Sequence, residues 1–164
     1  INLYIHELMR SSDLKEASQL CDHETLNAIL TRYGRNCLDQ HISFHADIRS
    51  GIIDFIADAD ITSLFCNLLD NAIEAAEHIP DSFIEVGAYR REKTPFVVIT
   101  VINSSGKNPF DEQGCIRNTT KANKYKHGFG IKSIRKIVAK YHGNMQMYYN
   151  QESLTFHTII TVKQ

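Results

Sequence analysis

A chain of 164 residues with 43% hydrophobic and 23% charged side chains has the size and composition of one ordinary domain able to bury a proper core. Its formal net charge of −1 argues against nucleic acid or an anionic membrane surface as a partner, and no apolar run approaches the roughly 20 residues that span a bilayer. Because the chain starts at Ile1 and not at Met, it reads as an excised fragment of a longer protein, which leaves room for a membrane anchor in the parent.

In chain order, Ile1 to Arg10 read as the end of a helix, with Leu3, Ile5, Leu8 and Met9 apolar. Ser11-Ser-Asp13 with Glu16 gives a capping-box pattern for a short second helix to about Leu20. A third helix is predicted from Asp22 or His23 to Leu38, since Leu26, Ile29, Leu30, Tyr33 and Leu38 recur at helical spacing, although Gly34 weakens it. Ile42 to Ile48 alternates apolar and polar, the mark of a half-buried strand. Cys21, Cys37, Cys66 and Cys115 show no C-x-x-C spacing and read as free thiols in a reducing cytosol. His41 and His45 share a strand face without a third ligand nearby, so they read as surface histidines.

The strongest pattern follows Gly51. From Ile61 to Ala76, the residues Ile61, Leu64, Phe65, Leu68, Leu69, Ala72, Ile73 and Ala76 fall on one apolar face at a period of 3.6. Asn67, Asn71 and Glu74 follow at i, i+4 and i+7 and form a polar stripe, with Asn71 at the border of the apolar face. Asn competes for backbone hydrogen bonds and lowers helix propensity, so two of them here serve something other than helix stability, unless the face is simply solvated. A carboxamide oxygen at the edge of a core can ligate Mg²⁺ without adding charge. Asp58 and Asp60 are cap candidates, and Pro80 closes the segment.

Ser82 to Arg90 and Pro95 to Asn103, joined by a polar turn, read as a hairpin. Ser104 to His127 is polar and poor in aliphatic residues, a length that marks a lid, a binding segment or a disordered loop. Gly128-Phe-Gly130 then leads into a helix from Ile131 to Tyr141, stopped by Gly143, and Met145 to Tyr149 with Leu154 to Val162 makes a second hairpin. The predicted class is α+β: a two-layer sandwich whose mixed, mostly antiparallel sheet is covered on one face by helices, with an N-terminal helical segment.

Glycines at a helix start let backbone N–H groups approach a phosphate closely, while the helix dipole favours its charge. The Gly128-Phe-Gly130 stretch is not a Walker A loop, because no Gly-Lys-Ser/Thr follows, and Ser133 stands where a dinucleotide fingerprint needs its third Gly. Alone it is equally a structural turn.

Taken together, the Asn-bearing helix, the strand ending in Asn103, the long polar loop and the Gly-x-Gly stretch resemble the ATP-binding catalytic domain of sensor histidine kinases, in the superfamily of gyrase, Hsp90 and MutL. Asn67-Leu-Leu-Asp-Asn-Ala-Ile-Glu-Ala-Ala76 resembles that family's N-box, and Lys126-His-Gly-Phe-Gly-Ile-Lys-Ser-Ile134 its second glycine box. Leu26 to Leu30, Ile42 to Phe44 and Thr119 to Lys121 are similar to the branch of peptide and citrate sensors. The resemblance runs from Ile42 to the C-terminus. It implies an ATP-binding domain over 39–164, preceded over 1–38 by a remnant of the dimerisation and phosphoacceptor region with its linker. It further implies ATP and Mg²⁺ as cofactors and transfer of the γ-phosphoryl group to a histidine outside this fragment. The full-length protein is then a homodimer that passes the phosphoryl group to a response regulator, with no nucleic acid involved.

By the same resemblance Asn71 ligates the Mg²⁺, Asn67 helps hold it or the phosphates, and His127, Gly128, Phe129, Gly130 and Ile131 line the phosphates. Lys121, beside Thr120 in the lid, neutralises the γ-phosphate during transfer. Asn103-Ser-Ser-Gly106 departs from the family's Asp-x-Gly-x-Gly: a carboxamide replaces the carboxylate that accepts from the adenine amino group, and it accepts more weakly. The superfamily's ATPases carry a Glu where this chain has Asn67, so hydrolysis lacks its base while transfer to a histidine nucleophile does not. His6-Glu7 has the acceptor's His-acid pattern, but the acceptor is expected upstream of Ile1. Two rivals stand beside this reading. One is a degenerate, nucleotide-free docking or phosphotransfer module of the same fold, supported by Asn103; the other is an ATP-hydrolysing clamp, opposed by Asn67 and the short chain.

Overall fold

The computed structural model describes residues 19–116 and 124–164, with side chains given from Gly130 onward in the second stretch. The two helices expected before Gln19, and His6 with them, lie outside the described residues. Helix α1 (Glu24–Asp39) buries Leu26, Ile29, Leu30, Tyr33 and Cys37. Its cap is His23, whose Nδ1 accepts from the Leu26 N–H, while Asp22 accepts from the Ser50 hydroxyl and the Gly51 N–H. Gly34 weakens the helix but has a packing reason: a Cβ there would come within 3.3 Å of the Phe44 ring. That close approach seats strand β1 (Ser43–Ile48) beneath α1.

Helix α2 (Asp58–Ala76) buries all eight residues of the predicted apolar face. Neither Asp58 nor Asp60 caps it. Ala57 is the N-cap without a side-chain bond, and both carboxylates sit in the first turn, where they complement the helix dipole. The helix ends at Ala76, before Pro80 can act on it.

The expected hairpin forms from β2 (Phe83–Arg90) and β3 (Phe96–Ser104), and the second from β4 (Asn144–Asn150) and β5 (Thr155–Lys163). The sheet order is β1-β2-β3-β5-β4, with β1 parallel to β2 and the other neighbours antiparallel. Ile84, Val86, Ala88, Val97, Ile99, Val101, Ile160 and Val162 face the helices and are buried, so the molecule is the expected mixed, mostly antiparallel sheet under a helical layer. Each fully buried Leu, Ile or Phe of this layer contributes about 1.5–3 kcal/mol. No described helix is long and apolar enough to cross a membrane.

Helix α3 (Lys124–Lys140) differs from expectation at its start, which lies seven residues before Ile131, so Gly128 and Gly130 are inside the helix and not ahead of it. Its end is a Schellman motif: the His142 N–H reaches the Ala139 carbonyl at 3.1 Å and the Gly143 N–H reaches Val138 at 2.9 Å. His142, and not Gly143, takes the left-handed backbone conformation there, at φ 51°.

Candidate functional site

Rising residue numbers on α2 meet falling numbers on α3, so the two helices run antiparallel across the sheet. At one end Asp60 Oδ2 accepts from Lys140 Nζ at 2.5 Å and from the Tyr141 hydroxyl at 2.7 Å. In the middle the Ser63 and Ser133 hydroxyls lie 3.0 Å apart. At the other end Asn67 donates from Nδ2 to the Ser63 carbonyl at 2.6 Å, and its Oδ1 faces Gly130, where a Cβ would stand only 3.0 Å away. Glycine is therefore the residue that lets α3 come this close to the Asn stripe.

The hydrogen bonds from Lys140 and Tyr141 hold the Asp60 carboxyl below its usual range. A depressed folded-state value contributes stability that is present above the unfolded value of 3.8 and is lost as pH falls through the folded one. On the other flank, the Tyr33 hydroxyl donates to Asp70 Oδ1 at 2.7 Å, tying α1 to α2 between Asn67 and Asn71. Burial first, and the Asp70 carboxylate second, push the Tyr33 phenol well above its usual value.

The third wall is the end of β3. Asn103 is 3% exposed, lies on the helix-covered face between Ile84 and Phe156, and donates from Nδ2 to the Ser104 carbonyl at 2.9 Å. That leaves its carboxamide oxygen as an acceptor. Thr158, also buried, is paired with Val101 and is thus the diagonal neighbour of Asn103 on the same face. Phe110 from the following loop packs on Phe156 with ring centroids 5.8 Å apart. Tyr149 donates to the Ser105 carbonyl at 3.1 Å, and Gly106 lies against Ile79, which joins the end of β3 to the end of α2.

Of the residues singled out from sequence, Asn67 and Asn71 lie on α2, Gly130 and Ile131 on α3, and Asn103 at the end of β3. The backbone of His127, Gly128 and Phe129 belongs to α3, while their side chains, together with Thr120 and Lys121, lie outside the described residues. In a helix starting at Lys124, the N–H groups without intrahelical partners are those of its first four residues, one turn ahead of Gly128 to Ile131. Sequence reasoning missed Thr158, the Ser63–Ser133 contact and the Tyr33–Asp70 bond. Thr158 had a signal, a hydroxyl in the apolar parity of Phe156, Ile160 and Val162; the other two had none.

Among the described residues no group of three or more His, Cys, Asp and Glu converges on a point. The carboxamide oxygens of Asn67 and Asn71, one turn apart on a half-buried stripe, are the hard, neutral donors of the site. They suit Mg²⁺, which keeps waters and takes phosphate oxygens instead of an all-protein cage.

Replacing Gly130 with Ala tests the α2–α3 approach. The gain in helix propensity, about 1 kcal/mol, is expected to be outweighed by overpacking of about 1–3 kcal/mol against Asn67. A lowered urea midpoint with a displaced Asn67 side-chain amide resonance is the expected result, and an unmoved resonance would contradict the contact.

A family model described as GHKL domain matches residues 56–161, a span that contains all three walls of this site. The chain belongs to the GHKL domain family. The solved structures it resembles include catalytic domains and larger pieces of histidine kinases. A nucleotide-free form of the ThkA catalytic domain matches with a TM-score of 0.66 at 19% identity, over 85% of this chain and 90% of that one. The mycobacterial sensor histidine kinase MprB gives 0.63 at 16%, over 85% and 93%. The histidine kinase AdeS of Acinetobacter baumannii gives 0.59 at 14%, over 97% and 76%. At these identities the likeness is one of fold. No curated protein matches the chain. In this GHKL domain α2 packs against both the glycine-bearing α3 and β3, the strand that ends in Asn103 and Ser104, although these elements are far apart in sequence.

Proposed function

We propose that this GHKL domain binds Mg·ATP and is the catalytic part of a two-component sensor histidine kinase, transferring the γ-phosphoryl group to a histidine outside the fragment. The observation that carries the reading is the approach of Gly130 to the Asn67 carboxamide, which sets a hard, neutral ligand stripe beside a glycine-bearing helix. Bound Mg·ATP would supply the transferable group and a cation to neutralise it.

In this proposal Asn71 ligates the metal through its oxygen, and Asn67 holds the metal or the phosphates. Asn103 accepts from the adenine amino group. Lys121 neutralises charge on the γ-phosphoryl, with Thr120 beside it. Contact of phosphates with the N–H groups from Gly128 to Ile131 requires the first turn of α3 to open, and glycines at 128 and 130 lower the resistance by about 1 kcal/mol each. Asn67 is no base for water, which supports transfer over hydrolysis.

The ATP-binding unit covers 39–164. Residues 1–38 are what remains of a dimerisation and phosphoacceptor region with its linker, of which α1 packs into the same core. The parent is a homodimer anchored in the cell membrane, with this domain in the cytoplasm and a response regulator as the phosphoryl acceptor from histidine. Calorimetry with Mg·ADP tests the reading: saturable heat is expected, and no heat at millimolar nucleotide would leave only the nucleotide-free module, which the carboxamide at Asn103 favours. Mass spectrometry under alkaline conditions after incubation with ATP is expected to find no stable phosphohistidine on this fragment, His6 included.

A further inference from the structure

Each edge of the sheet leaves a row of backbone N–H and C=O groups without a strand to bond, and the two edges differ in how they meet solvent. At one edge β1 exposes His45 and Asp47, with Arg49 set against Asp47 at 3.5 Å, so charge lies along the rim. At the other, β4 reads Asn144-Met-Gln-Met-Tyr-Tyr-Asn150, and none of its seven residues is charged or proline. Its pairing with β5 runs one to one from Asn144 with Thr161 to Asn150 with Thr155, so no bulge interrupts it. The usual devices that blunt an edge are absent from β4.

The ladder itself fixes which backbone groups of β4 point away from the sheet. The Ser105 N–H donates to the Leu154 carbonyl at 2.9 Å in the register of the β3–β5 pairs, so Leu154 turns its backbone groups toward β3. Such positions alternate along an antiparallel strand, so Thr155, His157, Ile159 and Thr161 turn theirs toward β4. Their partners Asn144, Gln146, Tyr148 and Asn150 answer them. Met145, Met147 and Tyr149 therefore aim N–H and C=O outward, and no described residue bonds those groups.

We propose that this edge pairs antiparallel with β4 of a second copy of the chain, about a two-fold axis through Met147, joining two sheets into one. Centred there, the register uses the whole strand and sets every outward-pointing residue opposite another: Met147 opposite itself, and Met145 opposite Tyr149 of the second copy. On the open face of the sheet Gln146 meets Tyr148 of the second copy, and at both ends Asn144 meets Asn150. No pair opposes like charges or sets a charge against an apolar side chain. Tyr148 is 45% exposed and already held by stacking on His157, with centroids 4.4 Å apart and planes 10° apart, so little side-chain freedom is lost on pairing. A strand from another protein would meet the same backbone groups, but β4 carries in its own sequence a partner that matches all seven positions.

Sedimentation velocity of the chain from about 10 μM to about 1 mM tests the pairing. A reversible monomer–dimer equilibrium with a Kd on the order of 100 μM is expected, because one strand pair falls short of the roughly 1,200 Å² of a standard interface. In ¹⁵N spectra, dilution is expected to move the amides of Met145, Met147 and Tyr149 most. Gln146→Lys with Tyr148→Lys should weaken dimerisation by on the order of tenfold, and so should Gln146→Glu with Tyr148→Glu, since like charges then stand opposite each other. Both positions are exposed, so the circular dichroism spectrum should stay unchanged. Mixing the two double variants sets opposite charges across the axis and should restore the parent affinity. A chain that stays monomeric at about 1 mM, dilution shifts confined to other elements, association that grows past the dimer, or a mixture no tighter than either variant alone would each overturn the proposal.

Discussion

Replacing Asn71 with Ala is expected to reduce Mg²⁺-dependent nucleotide affinity by on the order of 100-fold, or about 2.7 kcal/mol, while leaving thermal stability nearly unchanged. Asn71 is half-buried at the border of α2, so truncation opens no core cavity, and alanine recovers helix propensity that asparagine loses. The loss falls on one oxygen donor of the proposed metal site. Asn71→Asp is expected to bind poorly as well, for a different reason: it keeps an oxygen ligand but sets a second negative charge against the phosphates. Calorimetry with Mg·ADP, repeated with EDTA in place of Mg²⁺, checks both variants. Unaltered binding in the Ala variant would remove the metal role from Asn71.

The second large effect is one of stability. Gly143→Ala is expected to destabilise the domain by about 3 kcal/mol, a drop in Tm of about 6–12 °C for a domain of this size. A Cβ at position 143 would press into the Thr161 carbonyl oxygen and stand 2.9 Å from Val162 Cγ1 and 3.0 Å from Val138 Cγ1. The obstacle includes β5 backbone, which cannot rotate away as a side chain can. Left-handed strain is not the reason, because His142 holds that conformation while Gly143 holds the close approach. Thermal denaturation followed by circular dichroism measures the shift, and a Tm within about 2 °C of the parent would show that β5 yields more readily than close packing allows.

Where local periodicity decides an element, the residues state it plainly. The eight apolar residues from Ile61 to Ala76 announce their burial, and the alternation in Ser82 to Arg90 and Pro95 to Asn103 announces a hairpin. Caps were less legible. Asp58 and Asp60 are good N-cap residues by type, yet the chain enters α2 one residue earlier, at Ala57, whose N–H donates to the Tyr141 hydroxyl from the far end of α3. The start of α3 was hidden for a related reason. His127-Gly-Phe-Gly130 looks like a turn because glycine disfavours helix by about 1 kcal/mol, whereas in the folded chain the missing Cβ at Gly130 allows packing against Asn67.

By itself the sequence determined the strands and helices from Glu24 onward to within a few residues, apart from the start of α3. It also determined that Asn67, Asn71 and Glu74 share one side of a helix, because both facts follow from spacing along a single segment. Only the tertiary structure decided that β1 lies parallel to β2 at the sheet's edge, that Gly130 closes on Asn67, and that Thr158 joins Asn103 on one sheet face. Those pairings join residues tens of positions apart, and packing among whole elements settles them, since no period within one element carries the information.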